Sequence, residues 1–149
     1  MSSGSFASTV DLALRPSARA HFWLFGLHMV PLAALPLAMP SGYAMAGVAC
    51  AIGASWLWLR RHPAFGYGRK AIRRIVWRED GGWSVTLVGE RAPREARLRG
   101  DSTVWSAAIV LNFDLQPSGR AARILVGDES DPEALRRLRA RLAATPPTG

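Results

Sequence analysis

The sequence has 149 residues, a net charge of +8 and a hydrophobic content of 49%. This length allows one membrane segment and one small soluble domain, which is near the lower limit for a core that is stable on its own. The single cysteine, Cys50, excludes a disulfide framework and a cysteine-based zinc site. All but two of the 19 Lys and Arg residues follow Leu59, so the positive charge belongs to the C-terminal part of the chain.

Residues 1–19 form an N-terminal lead-in. Residues 1–8 have the composition of a disordered segment. From Thr9 to Arg15, apolar residues alternate with polar or small ones, which predicts a short edge strand of a later sheet, with a disordered lead-in as the alternative. Pro16 and Ser17 separate this segment from the next.

Residues 20–59 contain no Asp, Glu, Lys or Arg. The run is about twice the roughly 20 residues that one transmembrane helix needs, and Pro40-Ser41-Gly42 interrupts it with a turn signal. We therefore predict two transmembrane helices, 20–39 and 43–59. The alternatives are a buried helical hairpin of a soluble protein and a secretory signal peptide cleaved after Ala46.

Basic residues flank both ends of this stretch, and the turn between the helices carries no charge. Because Arg and Lys near membrane helices stay on the cytoplasmic side, both termini are predicted to be cytoplasmic. Residues 60–70 form a basic linker. The residues from this region that we expect to contact anionic lipid, the juxtamembrane basic set, are Arg60, Arg61, Arg69, Lys70, Arg73 and Arg74.

Small residues recur every four positions in the second helix, at Gly47, Ala51 and Ser55. This spacing lets two helices approach closely, so the stripe is predicted to face the first helix or a second copy of the chain. His28 lies within the first helix. Because neither helix offers an acidic partner, we interpret it as a neutral packing imidazole bonded to a backbone carbonyl or to Ser55, rather than as a proton relay.

Residues 71–149 predict a cytoplasmic α+β domain. Apolar residues alternate along several segments separated by turn residues, which indicates an antiparallel sheet of about five strands. The predicted strands are 71–78, 83–88, 96–99, 103–115 as one bent strand or two, and 120–126. A helix follows, with Ser130 as its N-cap, Glu133 completing a capping box, and the apolar stripe Leu135, Leu138 and Leu142.

Two groups of side chains in this domain are candidate partner-binding residues. The first consists of Trp77, Trp83 and Trp105, which either pack in the core or include an exposed anchor. The second is a basic set on the last helix that either binds an acidic protein or solvates the outer face, namely Arg136, Arg137, Arg139 and Arg141. The sequence contains no nucleophile motif, phosphate loop or dinucleotide fingerprint, so we predict no catalysis, cofactor or metal, and no nucleic-acid partner.

The order of these parts resembles the YgfX (CptA) family of small bacterial inner-membrane proteins. The similarity covers most of the chain. It rests on Leu14-Arg15-Pro16-Ser17, the tight helix pair with His28, the Asp80-Gly81-x-Trp83 hairpin, Asp128, and the helix with Arg136, Arg137, Leu138, Arg139 and Leu142.

The resemblance implies a toxin of a toxin–antitoxin pair that inhibits cell division and shape maintenance through the cytoskeletal proteins FtsZ and MreB. It also implies a small soluble partner like the flavinylation factor SdhE as antitoxin, and it supplies no catalytic residues. The alternative function is a non-toxic accessory factor that helps assemble flavin-dependent membrane enzymes. A homo-oligomer remains open.

Overall fold

The uncharged stretch forms two helices, α1 (Ala18–Ala38) and α2 (Tyr43–Leu59). The computed structural model describes residues 9–40 and 42–144, so the predictions for residues 1–8, Ser41 and the end after Ala144 lie outside the described residues. Helix α1 begins at Ser17, whose hydroxyl accepts a hydrogen bond from the backbone N–H of Ala20 at 2.9 Å. Both helices contain long apolar runs, and α1 also holds Pro31 and Pro36.

The side chains of both helices are largely exposed. In α1 only Ala20, Leu24 and His28 are buried, and α2 has no buried residue. Leu37 is 92% exposed, whereas the apolar residues of a buried hairpin would be shielded from solvent. Among the described residues, α1 is the one helix both long and apolar enough to span a membrane, since α2 has 17 residues. The alternative of a buried hairpin in a soluble protein is therefore wrong.

The described part of the chain forms seven strands, one in the lead-in and six in residues 71–149, where about five were predicted. They are β1 (Val10–Ala13), β2 (Ile72–Trp77), β3 (Trp83–Leu87), β4 (Arg94–Leu98), β5 (Thr103–Val104), β6 (Ile109–Leu115) and β7 (Arg120–Leu125). The predicted segment 103–115 is two strands, because the chain reverses at Trp105–Ala108. Along β6, Leu111 and Phe113 are fully buried, and Asp114 between the inward positions is exposed.

All strand pairs are antiparallel, and the sheet curls around its core. The first four strands pair in chain order. Along one edge of β6, β5 pairs with its first residues and β4 with its last residues. Strand β7 pairs with the opposite edge of β6. Strand β1 lies at the outer edge, paired with β2 in the register Val10↔Trp77 to Ala13↔Arg74. The predicted edge strand is confirmed, and cleavage after Ala46 would remove it from the sheet.

A third helix, α3 (Pro132–Ala144), closes the core. Its stripe of Leu135, Leu138 and Leu142 is buried against the sheet, as the i, i+3, i+7 spacing predicts. The predicted N-cap at Ser130 is wrong by one residue. The carboxylate of Asp131 accepts from the backbone N–H of Ala134 at 3.0 Å, and its carbonyl accepts the first helical hydrogen bond.

Candidate functional site at the helix–sheet junction

The turn after β7 holds the beginning of the first helix. The hydroxyl of Ser17 donates to one carboxylate oxygen of Asp128, and the backbone N–H of Arg19 donates to the other at 2.9 Å. The first N–H groups of a helix lack intrahelical partners, and they carry partial positive charge. Asp128 therefore caps α1 from a position 111 residues farther along the chain than Ser17.

Asp128 is charged in this arrangement. Partial burial favours the neutral acid, but the hydrogen bonds from the Ser17 hydroxyl and the Arg19 backbone outweigh it and hold the pKa of Asp128 below its ordinary value. The neighbouring Arg15 adds to the contact, because its Nε donates to the carbonyl of Asp128 at 3.0 Å. The junction is thus a charge-assisted set of hydrogen bonds.

A buried arginine lies beneath this cap. Arg123 of β7 is 1% exposed, and its Nη2 donates to the carbonyl of Arg15 at 2.5 Å. Burial lowers the pKa of Arg123, and the nearby carboxylate of Glu129 opposes that effect. Because a guanidinium stays protonated in proteins, Arg123 remains a cation in the interior.

The linker after α2 packs directly on this cation. Gly66 follows a 3-10 turn at Pro63–Phe65 and has φ +96°. A Cβ atom at this position would lie 2.1 Å from Nη1 of Arg123 and would force the guanidinium to move, and the positive φ itself favours glycine. Arg123 therefore joins the lead-in, the linker and the last strand at one point.

Glu129 completes the junction. It is fully buried, and its carboxylate accepts from the backbone N–H groups of Val126 at 2.7 Å and Gly127 at 2.9 Å. Its carbonyl accepts from the N–H of Arg15 at 2.8 Å. The two backbone donors satisfy the buried carboxylate, and the turn that carries Asp128 is thereby held in shape.

Sequence reasoning missed Ser17, Gly66, Arg123 and Glu129 as members of a site. One signal was present, because Arg123 occupies an alternate position with Ala121 and Leu125, on the side of β7 that faces inward. An arginine in line with core residues of a strand indicates a buried cation. The sequence contains no comparable signal for Gly66.

The predicted helix-packing residues divide into two groups. His28 and Ser55 meet: Nδ1 of His28 lies 2.8 Å from the carbonyl of Leu24, and Nε2 lies 3.3 Å from the Ser55 hydroxyl. Gly47 and Ala51 lie on the exposed side of α2, and a Cβ on Gly47 would meet no atom within 4 Å. Of the predicted stripe, Ser55 therefore contacts α1, whereas Gly47 and Ala51 face away from it, and contact of these two with a second copy stays a prediction.

Two of the three candidate tryptophans belong to the core. Trp77 and Trp83 are cross-strand partners, buried and stacked with ring centroids 4.3 Å apart. Their burial favours the alternative of core packing, because inward positions on β2 and β3 turn both rings away from solvent. Trp105 differs, since it lies in the turn between β5 and β6 and is 60% exposed.

The four arginines of α3 also differ from one another in contacts and exposure. Arg141 lies over the ring of Trp77, 4.1 Å from its centroid, and donates to the carbonyls of Trp77 and Arg78 at 3.3 and 2.7 Å. It holds α3 to the sheet, which gives Arg141 a structural role, and its assignment as a partner-binding residue stays a prediction. Arg139 is half-buried. Arg136 and Arg137 are exposed and share the carboxylate of Glu133.

The juxtamembrane basic set is mostly exposed. Arg61, Arg69, Lys70 and Arg73 are open to solvent, and the guanidinium of Arg60 lies 4.6 Å from the ring centroid of Trp56. Arg74 is bound instead by Asp11 across the β1–β2 ladder, and hydrogen bonding from Arg74 lowers the pKa of that carboxyl. Within residues 9–40 and 42–144, His, Cys, Asp and Glu form no cluster of three that would hold a metal ion.

An exposed apolar helix, capped at its N-terminus by a small curled sheet, defines a membrane-anchored protein with one small polar domain. Residues 8–146 match the CptA toxin family, described as the membrane-bound toxin component of a toxin–antitoxin system, and the chain belongs to that family. The family resemblance is thus confirmed, and membership implies an antitoxin as partner. No curated protein and no solved structure matches the chain.

Proposed function

We propose that this protein is a toxin-like binding protein of the bacterial inner membrane, and that it acts by capturing other proteins and not by catalysis. In this proposal α1 and α2 cross the membrane as a hairpin. The sheet and α3 lie in the cytoplasm, where the junction at Asp128 fixes them against the membrane.

The pairing of β1 with β2 is the observation that carries the membrane topology. β1 precedes the helices and β2 follows them, and the two strands are hydrogen-bonded neighbours. If α1 crosses the membrane, the chain has to return before β2, and α2 is the apolar helix available for that. Its 17 residues span about 26 Å, which is close to the roughly 30 Å hydrocarbon core. A short span is accommodated by local bilayer thinning.

The exposed basic residues support a cytoplasmic orientation. Arg61, Arg69 and Lys70 follow α2 directly, where positive charge favours the cytoplasmic side and anionic lipid. A reporter fused after Gly149 tests this orientation. A cytoplasm-dependent reporter is expected to be active there, and activity of a periplasm-dependent reporter would overturn the hairpin.

The outer face of α3 is the surface that we propose for an acidic partner. Arg136 and Arg137 are exposed, and both guanidinium groups donate to the carboxylate of Glu133. The face is therefore net positive and open. An antitoxin similar to SdhE, and cytoskeletal targets similar to FtsZ and MreB, are the partners that the family suggests.

Capture from detergent-solubilised membranes tests this surface. The double variant Arg136→Gln and Arg137→Gln keeps helix propensity nearly constant and leaves Arg141 on Trp77. A matched control, Arg91→Gln with Arg97→Gln, removes the same charge from exposed positions on and before β4. Loss of partners in the first variant alone supports the proposal, whereas equal capture by both variants and the parent would overturn it.

Overexpression in cells tests the toxic role separately. Filamentous or rounded cells are expected if division and shape are inhibited, and the Arg136/Arg137 variant is expected to relieve the effect. If partners are captured while division is unaffected, the accessory role in assembling flavin-dependent membrane enzymes replaces the toxin role.

A further inference from the structure

The turn between β5 and β6 presents an isolated aromatic side chain. Trp105 is 60% exposed, and Val104 before it is 43% exposed. The turn is defined by a hydrogen bond from the N–H of Trp105 to the carbonyl of Ala108 at 2.8 Å. Its other two residues, Ser106 and Ala107, are small and exposed. A large indole is thus held outward on a short, regular turn.

The strand register places this turn two strands away from the turn after β7, which caps α1. Ile109 of β6 pairs with Leu125 of β7, so Ala108 lies level with Val126. Trp105 faces Ala108 on the opposite side of β6, which puts the Cα of Trp105 about 10 Å from Val126, two strand spacings away. Asp128, two residues after Val126, binds the backbone N–H of Arg19 in the first turn of α1.

The start of α1, beside the turn after β7, has the character of a membrane interface. The guanidinium of Arg19 lies 4.0 Å from the position of a Cβ on Gly127, in the same turn after β7. Phe22 and Trp23, the next aromatic residues along α1, are 75% and 74% exposed. Exposed aromatic rings next to basic side chains are typical of the headgroup region.

We propose that Trp105 inserts into the headgroup region of the same bilayer that α1 enters, as a second contact between the sheet and the membrane. This inference rests on the proposed insertion of α1. The indole has an apolar body and one N–H donor, which suits the boundary between acyl chains and headgroups. With Asp128 holding one point and Trp105 another, the sheet has a fixed tilt against the membrane.

Lipid quenching in reconstituted full-length protein tests the proposal. In a Cys50→Ala background, a fluorescent label on Ser106→Cys reports the turn while Trp105 is kept. Liposomes of phosphatidylethanolamine and phosphatidylglycerol with brominated acyl chains quench labels that enter the bilayer. Glu79→Cys provides a matched exposed position beyond the end of β2 that is remote from α1, and Val30→Cys reports insertion of α1 itself.

The Ser106 label is expected to be quenched several-fold more than the Glu79 label, and Trp105→Ala is expected to bring it down to the Glu79 level. If the Val30 label is quenched while the Ser106 label behaves like Glu79, the turn lies in water, free for a protein partner, and this inference alone is overturned. Quenching at Ser106 that is unaffected by Trp105→Ala also overturns it. If Val30 escapes quenching, membrane insertion fails and this inference with it.

Discussion

Ser17 and Asp128 share a hydrogen bond although 111 residues separate them. Ser17 is the N-cap of the apolar helix α1, and Asp128 follows the last strand, β7. Their contact converts two separate parts, a membrane helix and a sheet, into one unit with a defined angle between them. Beneath this partly buried contact lies the fully buried Arg123, against which Gly66 packs, so the contact has a support in the interior.

Removing the Asp128 carboxylate, which caps α1, is expected to destabilise the helix–sheet junction. Asp128→Ala leaves the Ser17 hydroxyl and the Arg19 N–H without their acceptor, and a helix cap of this kind is worth about 1–2 kcal/mol. Denaturant unfolding in detergent, followed by the fluorescence of the sheet tryptophans, measures the loss. Asp131→Ala, which removes the cap of α3, is the matched control for a cap outside the junction. An Asp128→Ala variant as stable as the parent would show that the contact is not energetically coupled to the fold.

The contribution of Asp128 is expected to depend on pH. Its pKa is lower in the folded protein than the ordinary value of 3.8, so the folded state favours the carboxylate. The resulting stability is fully present above pH 3.8 and is lost as the pH falls through the folded pKa. The stability difference between the parent and Asp128→Asn should therefore be constant from neutral pH downward and shrink only in that acidic window. A difference that vanishes already at pH 6 would contradict the assignment.

Substitutions of two glycines in the linker distinguish the cost of backbone strain from the cost of disturbing the packing on Arg123. Gly66 and Gly68 both have positive φ, +96° and +82°, but only Gly66 lies against the guanidinium. Gly68→Ala is expected to cost about 1–2 kcal/mol from its backbone conformation alone. Gly66→Ala should cost about 1–3 kcal/mol more, because the methyl group overlaps Nη1 of Arg123. Thermal unfolding of the two variants side by side measures the difference. Equal melting temperatures would show that packing of Gly66 against Arg123 does not contribute to stability.

The arginines of α3 are expected to behave in opposite ways. Arg141→Gln removes the cation from the face of Trp77 and two hydrogen bonds to carbonyls, for a loss of about 1–3 kcal/mol. Arg136→Gln removes an exposed ion pair and is expected to leave the melting temperature unchanged while weakening partner capture. Should Arg136→Gln lower stability as much as Arg141→Gln, the outer face of α3 would be part of the fold.

The tryptophans provide the same contrast in the sheet. Trp83 is stacked on Trp77 and touches the ring of Phe113, so Trp83→Ala is expected to cost about 3–5 kcal/mol. Trp105→Ala removes an exposed ring and should change the unfolding free energy by no more than about 0.5 kcal/mol in detergent. Circular dichroism melts of the two variants distinguish a core residue from a surface contact.

Elements with a strong local period were predictable from the sequence. The leucine stripe of α3 and the alternation in β6 fix which side of each element is buried, because the periods 3.6 and 2 are properties of the local chain. The sequence does not show whether the strand breaks at Trp105–Ala108, because the apolar run continues through these residues and β-branched residues lie on both sides. A tryptophan in that run fits a core position as well as a turn.

The contact between Ser17 and Asp128 was not predictable from a local sequence period. Ser17 is recognisable as a helix start, and Asp128 as a turn residue, but no local pattern indicates that one caps the other. Their contact depends on the curl of the whole sheet, which brings the end of β7 to the start of α1. The one local clue, Arg123 at an inward position of its strand, indicates a buried cation without naming what surrounds it.

The order of the strands has a consequence for the synthesis of the protein. β1 leaves the ribosome first, yet its neighbour β2 follows only after both apolar helices have been made. At about 5–20 residues per second, Ser17 waits roughly 6–22 s for Asp128, which lies 111 residues later. Both helices are therefore translated before six of the seven strands, and the turn after β7, which is translated just before α3, then binds the start of α1.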